Sequence, residues 1–483
     1  MNAMHAFHAI HDEVPLLQDY LAYSARRKGG KIALVCSGQR STYRELDDRA
    51  NALARALIAR GVERGDRVIV FGDNTMETVV SFWAVLKAGA VVSIVNPLTK
   101  KDRLAYLIGD CRPSALIVEA RYNRIWAEPA LSSHVETVIV CGTLSEEQIA
   151  AMPDLAPRLL PWQQALESSG QGMPQRRNLD IDLAAIIYTS GTTGDPKGVM
   201  LTHRNMLSSA SSMSACLDIR EDEVILGALP LALDYGLYQM IMAFRQGAKL
   251  VLERGFTVPA QVLKTMVDEG VTGLPAVPAI YAMLAQMKEL GNFDMSKIRY
   301  VTSTAAALPA KHIQLLNKLF PAARIYCLYG LTECGRCTCL PPGDEERKPA
   351  SMGIAIPNTE MWLADEDGNK LGPNVTGQLV IRGATVMQGY WEKPEATAKT
   401  LKPGPLPGEQ VLYTGDCCRM DEEGYLYFVG RMDEVIKSLG EEVAPKDVEA
   451  VPFDLGGTKE AAAIAVPDEL LGQVVKVIPQ PTL

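Results

Sequence analysis

The chain has 483 residues, of which 47% are hydrophobic and 22% charged, as is usual for globular proteins. This composition excludes an intrinsically disordered chain, a collagen-like chain and a coiled coil. The formal net charge of -9 disfavours nucleic acid as a partner, because nucleic-acid binding usually requires an extended basic surface.

The cysteines and the apolar segments indicate the compartment. Ten cysteines are few for a chain of this length and several lie in apolar runs, so we expect free thiols in a reducing setting. No run of about 18 apolar residues predicts a membrane span, and the N-terminal segment lacks the features of a secretory signal. We therefore expect a cytoplasmic protein without a membrane span.

Helices and strands alternate in the first part of the chain. STYRELDDRANALARALIARG (41–61) predicts a helix with Ser41 or Thr42 as N-cap, and DRVIVFG (66–72) predicts a buried strand. The same alternation continues to about residue 180 and resumes from 205 to 330. Strands separated by helices of this length predict βαβ units and a largely parallel sheet.

The pattern changes after residue 350. Strands become short and are separated by turn residues, as in DEDG (365–368) and DEEG (421–424). We therefore expect a small antiparallel β subdomain over about 350–428, in an α/β protein.

A loop rich in glycine and hydroxyl groups lies at 188–199, between the apolar strand LAAIIY and a helix expected to start near His203. Its glycines allow a tight turn and close approach to a ligand, its hydroxyls are donors, and Lys197 adds a positive charge. A polyphosphate needs this combination of groups. A surface loop without a ligand is the alternative. The candidate residues are Thr189, Ser190, Gly191, Thr192, Thr193, Gly194 and Lys197.

With its neighbours, this loop resembles the signature of a known family. YTSGTTGDPKGVMLTH is similar to the phosphate loop of the adenylate-forming enzymes, which include acyl- and aryl-CoA synthetases, peptide-synthetase adenylation domains and luciferases. Three further motifs follow in the family's order: YGLTE (329–333), YTGD (413–416) and GRMDEVIK (430–437). The resemblance implies a large domain of two helix-flanked β-sheets with the antiparallel subdomain, over 1–430, followed by a smaller α+β lid over 431–483.

The resemblance also implies roles for individual residues. Thr332 would contact the α-phosphate of ATP, and Glu333 would bind Mg²⁺, with Lys197 near the outer phosphates. Tyr329, followed by Gly330, would stack on adenine, and Asp416 and Arg431 would contact the ribose. Taken singly, Tyr329 could be a core residue and Asp416 could cap a turn.

The C-terminal part departs from the family pattern. Asp433 matches the family's hinge residue, but the chain ends at VIPQPTL, before the position of a lysine that the family's lid supplies during adenylation. Pro452 also falls where a lid helix is expected, which disfavours a continuous helix. We therefore expect a shortened lid, retained adenylate binding and slow adenylate formation.

The acid pocket is predicted from LPLALDYGLYQM (229–240). Asp234 falls at or beside the place where amino-acid-specific members carry an aspartate for the substrate ammonium. Alternatively, Asp234 caps the following helix. Tyr235 and Tyr238 would line the pocket, with Arg336 and Cys337 as its other wall.

Together these features predict an ATP-dependent ligase with Mg²⁺. The enzyme would convert a carboxylic or amino acid into an acyl-adenylate and pass it to the thiol of coenzyme A or of a carrier protein. The alternative is a catalytically impaired adenylate-binding protein.

Overall fold

The structure is a computed structural model. It describes residues 16–167, 172–175, 178–189, 195–287, 290–304, 310–432, 436–438, 441–443, 448–449, 458–468 and 472–481. The predicted loop residues 190–194 and the predicted hinge residue Asp433 lie outside these ranges, as does Pro452, where a lid helix was expected.

The first sheet, here called the N-terminal sheet, has eight strands and is mainly parallel. Its two strands that come last in the chain, Lys197–Thr202 and Gly389–Tyr390, pair antiparallel and form one edge. The strands in spatial order are Gly389–Tyr390, Lys197–Thr202, Leu183–Thr189, Val91–Val95, Arg67–Phe71, Ala115–Glu119, Thr137–Cys141 and Leu159–Pro161. The predicted parallel strands of the first 180 residues are confirmed.

The second sheet, here called the central sheet, joins a parallel half to an antiparallel half. The parallel half has strands Ile32–Cys36, Lys249–Leu252, Val224–Gly227, Gly273–Ala276 and Tyr300–Ser303, with Gln39–Thr42 at its outer edge. The antiparallel half has strands Gly335–Cys339, Ser351–Ala355, Leu426–Arg431, Gln410–Met420, Thr376–Gly383 and Thr359–Ala364, and Leu401–Pro403 pairs beside them.

One strand connects the two halves of the central sheet. Arg324–Leu331 pairs in parallel with Tyr300–Ser303 through its first residues and antiparallel with Gly335–Cys339 through its last. The predicted antiparallel strands after residue 350 are therefore present, and they continue the parallel sheet by hydrogen bonding. The DEEG turn connects Gln410–Met420 to Leu426–Arg431, with Gly424 at φ 84°.

Helices cover and separate the two large sheets. Thr42 begins the second helix with a capping box, since its side chain accepts from the Glu45 amide while Glu45 accepts from the Thr42 amide, as the N-cap prediction expected. The helices are Asp19–Lys28, Tyr43–Ala59, Met76–Lys87, Lys101–Cys111, Asn123–Trp126, Glu146–Ala150, Trp162–Glu167, His203–Cys216, Asp234–Gln246, Pro259–Glu269, Pro278–Gln286, Ala310–Leu319 and Pro394–Thr400.

Aromatic packing joins the helices between the two sheets. Trp83 stacks on Phe244 with ring centroids 5.7 Å apart, and Tyr43 meets Phe244 edge-on at 5.6 Å. These side chains belong to one buried cluster that includes strand residues of both sheets. Buried aromatic contacts of this kind hold the sheets in a defined relation. The carboxyl ends of several strands consequently face one crevice.

The C-terminal residues form a separate antiparallel sheet. Its strands are, in spatial order, Glu441–Val443, Ile436–Ser438, Gly472–Pro481 and Thr458–Asp468. The division of the chain at residue 430 and the reading of 431–483 as a shortened lid stay predictions.

The helix predicted to start near His203 begins at that residue. The segment before it differs from the prediction, because strand Lys197–Thr202 pairs antiparallel with Leu183–Thr189 where a loop reaching residue 199 was expected. Val199 and Leu201 of this strand are buried within the N-terminal sheet, so tertiary packing favours an extended conformation. Across the described ranges, no helix is long and apolar enough to cross a membrane.

Candidate active site

One cavity of the structure lies where parallel strands end. Thr189 is the last residue of its strand in the N-terminal sheet, while Val277 and Thr304 each follow a strand of the central sheet. Ligand sites of α/β proteins are expected at such carboxyl ends. The cavity has a volume of about 430 Å³, and its lining includes Thr189, Lys197, Leu229, Leu233, Asp234, Tyr235, Val277, Thr304, Gly330, Leu331, Thr332, Glu333, Arg336, Tyr390 and Arg431.

A tight hairpin brings the YGLTE motif to this cavity. Gly330 pairs with Arg336 across the hairpin, and Thr332 and Glu333 occupy its turn. A Cβ added at Gly330 would lie 2.0 Å from the Gly335 carbonyl oxygen, so a side chain at this position would collide with backbone. The glycine of the motif is therefore required by the fold, and the turn presents a hydroxyl and a carboxylate side by side.

A second cavity of about 210 Å³ adjoins the first and contains the predicted nucleoside residues. Both cavities share Gly330 and Arg431 in their linings. Tyr329, Asp416 and Phe428 line the second one. A polar and an aromatic wall next to the YGLTE turn are suited to a nucleoside.

Asp416 is buried at the centre of a small hydrogen-bond network. The Tyr329 hydroxyl donates to Asp416 Oδ2, and Arg431 Nη1 donates to Asp416 Oδ1 at 2.7 Å. Asp416 and Arg431 are direct partners on neighbouring antiparallel strands. Burial, with the nearby Asp416 carboxylate, holds the pKa of Tyr329 well above its usual value, so the phenol stays a donor. The three predicted residues thus meet in one place.

The catalytic carboxylate predicted at Glu333 has a partner that sequence reasoning missed. The Tyr390 hydroxyl donates to Glu333 Oε1 at 2.7 Å. Lys197 Nζ lies over the Tyr390 ring, 5.4 Å from its centroid. Burial and then Glu333 raise the pKa of Tyr390, which keeps its proton available for donation. Tyr390 is placed by the pairing of Gly389–Tyr390 with the strand that begins at Lys197. An aromatic pair in the turn-rich segment QGYW was the available sequence signal.

Asp234 is engaged by another protein side chain. Arg336 Nη2 donates to Asp234 Oδ2 at 2.8 Å, and the Arg336 guanidinium lies over the Tyr235 ring, 5.0 Å from its centroid. Asp234 stands in the first turn of helix Asp234–Gln246, whose N-cap is Leu233 and makes no side-chain cap bond. The helix-capping alternative for Asp234 is therefore wrong.

Two residues expected in the pocket are not among those that line either cavity. Tyr238 and Cys337 are 5% and 0% exposed and belong to the large buried cluster. Tyr238 is one helical turn beyond Asp234. The Cys337 thiol donates to the Tyr329 carbonyl oxygen at 3.6 Å, behind the cavity wall. That these two line the acid pocket stays a prediction.

The donor set around Glu333 suits a hard cation with few protein ligands. In the described parts of the chain, no group of three or more His, Cys, Asp and Glu side chains is arranged to hold a metal ion. The Thr332 hydroxyl and the Glu333 carboxylate nevertheless line the same cavity as Lys197. All ten cysteines are free, as the composition led us to expect.

Comparison with known proteins identifies the family. Residues 21–391 match the AMP-binding enzyme family. A long-chain-fatty-acid–CoA ligase of Bacillus subtilis (strain 168) is 31% identical, over 96% of this chain and 86% of its own length. 4-Coumarate–CoA ligase 5 of Oryza sativa subsp. japonica is 29% identical, over 96% of this chain and 85% of its own.

Solved structures agree with this assignment. An anthranilate CoA ligase in complex with anthranoyl-AMP superposes with a TM-score of 0.86 at 25% identity, covering 97% of this chain and 88% of that one. ATP-bound MatB from Rhodopseudomonas palustris gives 0.83 at 27% identity, covering 96% and 89%. The predicted α/β fold and the predicted ATP-dependent ligase, which joins a carboxylic acid to coenzyme A through an acyl-adenylate, are confirmed. The chain belongs to the AMP-binding enzyme family.

Proposed function

We propose that this protein uses ATP and Mg²⁺ to activate a carboxylic acid without an α-amino group, and then transfers the acyl group to coenzyme A. The observation that carries the proposal is the pair of joined cavities. One is lined by Tyr329, Asp416 and Arg431, and the other by the candidate phosphate and acid residues. A nucleotide spanning both would place its α-phosphate beside the YGLTE turn.

The nucleoside end of ATP occupies the smaller cavity in this proposal. Asp416 accepts hydrogen bonds from the ribose hydroxyls, and Arg431 and Tyr329 hold its carboxylate in position. Because the carboxylate is buried and already oriented, little reorganisation accompanies binding. The Tyr329 ring contributes an aromatic surface to the adenine side.

The phosphates occupy the larger cavity, close to Thr332, Glu333 and Lys197. Bound Mg²⁺ would neutralise charge on the phosphate oxygens, and Glu333 would hold it together with water and the phosphates, the coordination that Mg²⁺ favours. The Thr332 hydroxyl would contact the α-phosphate. Tyr390 orients Glu333 through its hydrogen bond. Lys197 adds a positive charge near the outer phosphates, where negative charge builds up on the departing pyrophosphate.

Two covalent steps follow from this arrangement. A carboxylate oxygen of the acid attacks the α-phosphorus, forming an O–P bond as the bond to the bridging oxygen breaks and pyrophosphate leaves. The sulfur of coenzyme A then attacks the acyl carbon, forming the C–S bond while the bond to AMP breaks and the thiol proton is lost to solvent. Neither step requires an oxidant or a reductant.

The acid end of the larger cavity, meaning the part near Asp234 and Arg336 where the substrate acid would bind, disfavours an amino-acid substrate. The Asp234 carboxylate that would pair a substrate ammonium is already paired with Arg336 at 2.8 Å. An incoming ammonium would meet the positive Arg336 guanidinium. The relatives are named for long-chain fatty acids, 4-coumarate and anthranilate. A carrier-protein thiol as acceptor, in place of coenzyme A, stays a prediction.

The test is acid-dependent exchange between ATP and labelled pyrophosphate, using a panel of fatty, hydroxy, aryl and amino acids. We expect exchange with at least one acid that lacks an amino group, and formation of its coenzyme A thioester by mass spectrometry. Glu333→Gln should abolish exchange, whereas the control Glu392→Gln, on a surface residue paired with Arg112, should retain it. AMP binding without exchange for any acid would favour the alternative of an impaired adenylate-binding protein.

A further inference from the structure

An ion pair is built into the wall of the acid end of the larger cavity. The side chains of Arg336 and Asp234 are 8% and 15% exposed, and their neighbours in the lining are the apolar side chains of Leu229, Leu233 and Val277. A buried ion pair is costly to desolvate and is retained where geometry or recognition requires it. For the proposed reaction, neither the adenylation step nor the transfer step uses this pair.

The hydrogen-bonding capacity of the pair is not filled by the described residues. A guanidinium has five N–H donors. Arg336 Nη2 donates to Asp234 Oδ2, and Nη1 makes a long 3.4 Å contact with the Gly335 carbonyl oxygen. Nε is buried with no partner among the residues that the structure describes. In the same described set, Asp234 Oδ1 has no hydrogen-bond partner. Donors and an acceptor therefore remain for a ligand.

The pair is held rigidly from both sides. Arg336 is fixed by its pairing opposite Gly330 in the YGLTE hairpin, and its guanidinium rests on the Tyr235 ring. The Tyr235 hydroxyl in turn contacts the Thr302 hydroxyl and donates to the Thr302 carbonyl oxygen at 3.2 Å. Preorganised donors of this kind discriminate strongly between ligands, because a ligand that cannot use them leaves them unpaired.

We infer that Arg336 and Asp234 recognise a hydroxyl group on the acyl part of the substrate. This inference rests on the proposed function and assigns its substrate class, the hydroxylated carboxylic acids. The hydroxyl oxygen accepts from a remaining N–H of Arg336, and its hydrogen is donated to the Asp234 carboxylate. A hydroxyl is neutral and can do both. A second carboxylate would be repelled by Asp234 and an ammonium by Arg336. An alkyl chain would leave the remaining N–H donors of Arg336 and the second carboxylate oxygen of Asp234 without a partner.

The test measures binding, so that it does not depend on turnover. The probes are acyl-sulfamoyl-adenosines, analogues of the acyl-adenylate that a thiol cannot cleave. One carries a hexanoyl group. Each of the others carries a hexanoyl group with a single hydroxyl, placed in turn on each carbon beyond the second. We expect at least one hydroxylated analogue to bind the wild type about tenfold to a hundredfold more tightly than the hexanoyl analogue, as hydrogen bonds to charged groups predict.

Variants of Arg336 test whether the Arg336–Asp234 pair causes the preference for hydroxylated analogues. Arg336→Met should reduce the ratio of the two affinities to within about twofold, and Arg336→Lys, which keeps the charge beside Asp234 but loses the planar set of donors, should also lower it. The control is Arg299→Met. Arg299 is likewise paired with a buried carboxylate, Glu223, and lies over the ring of a tyrosine, but outside the cavity. It should leave the ratio unchanged.

The possible outcomes separate the two proposals. Equal binding of the hexanoyl analogue and all hydroxylated analogues would overturn the inference and leave the proposed function intact. A preference that survives in Arg336→Met would place hydroxyl recognition elsewhere and overturn the inference as well. Binding of none of the analogues would overturn the proposed function and the inference with it.

Discussion

The buried carboxylate of Asp416 is the best place to perturb nucleotide binding without changing shape. Asp416→Asn is isosteric and removes only the negative charge and one acceptor oxygen. Asp416 is 2% exposed, and both the Tyr329 hydroxyl and Arg431 Nη1 donate to it. In the variant, these donors compete for a single amide oxygen, and the amide NH₂ faces groups that are themselves donors.

The magnitude follows from the bonds that the ribose would lose. A hydrogen bond to a charged group contributes about 1.5–3 kcal/mol, and a neutral one roughly half of that. Losing the charge at two ribose contacts therefore costs about 1.5–3 kcal/mol, which weakens AMP binding by about tenfold to a hundredfold. Folding should be affected less, because Arg431 is 37% exposed and can be solvated by water.

Calorimetric titration with AMP and with ATP measures this effect, and thermal unfolding measures the stability of each variant. Asp47→Asn serves as the control, because Asp47 pairs with the buried Lys87 at 2.8 Å on helices that do not line either cavity. It should lower stability and leave AMP affinity unchanged. If Asp416→Asn binds AMP as tightly as the wild type, the assignment of Asp416 to the ribose is wrong.

Three further predictions follow from the same geometry. Lys197→Ala should weaken the binding of ATP more than that of AMP in calorimetric titration, because we expect the Lys197 charge to lie by the outer phosphates. Equal losses of affinity for the two nucleotides would contradict this position of Lys197. Tyr390→Phe should raise the Mg²⁺ concentration for half-maximal pyrophosphate exchange severalfold, since Glu333 loses the donor at 2.7 Å; an unchanged Mg²⁺ dependence would contradict this role. Burial raises the pKa of the Cys111 and Cys327 thiols to about 12. At pH 8 only about one such thiol in ten thousand is ionised, so iodoacetamide should label both only after unfolding, and rapid native labelling seen by mass spectrometry would contradict their burial.

The sequence by itself determined the family, the α/β class and the candidate residues for nucleotide binding. These depend on short motifs in which neighbours in the chain act together. The DEEG turn (421–424) is one example, since its residues already predict a hairpin between short strands, and the structure has one there. The alternation of strands and helices is likewise predicted locally, because the spacing of apolar residues along the chain differs between the two.

Only the tertiary structure decided how distant side chains pair. Asp234 and Arg336 are 102 positions apart, and Tyr390 and Glu333 are 57 apart. No local pattern shows that these side chains meet, because each meeting depends on which strands are neighbours in a sheet. The position of Tyr238 depends on packing for a related reason. Tyr238 lies one turn after Asp234 and on the same face of their helix. The packing of that helix between two sheets decides which of its turns reaches the cavity and which is enclosed in the core.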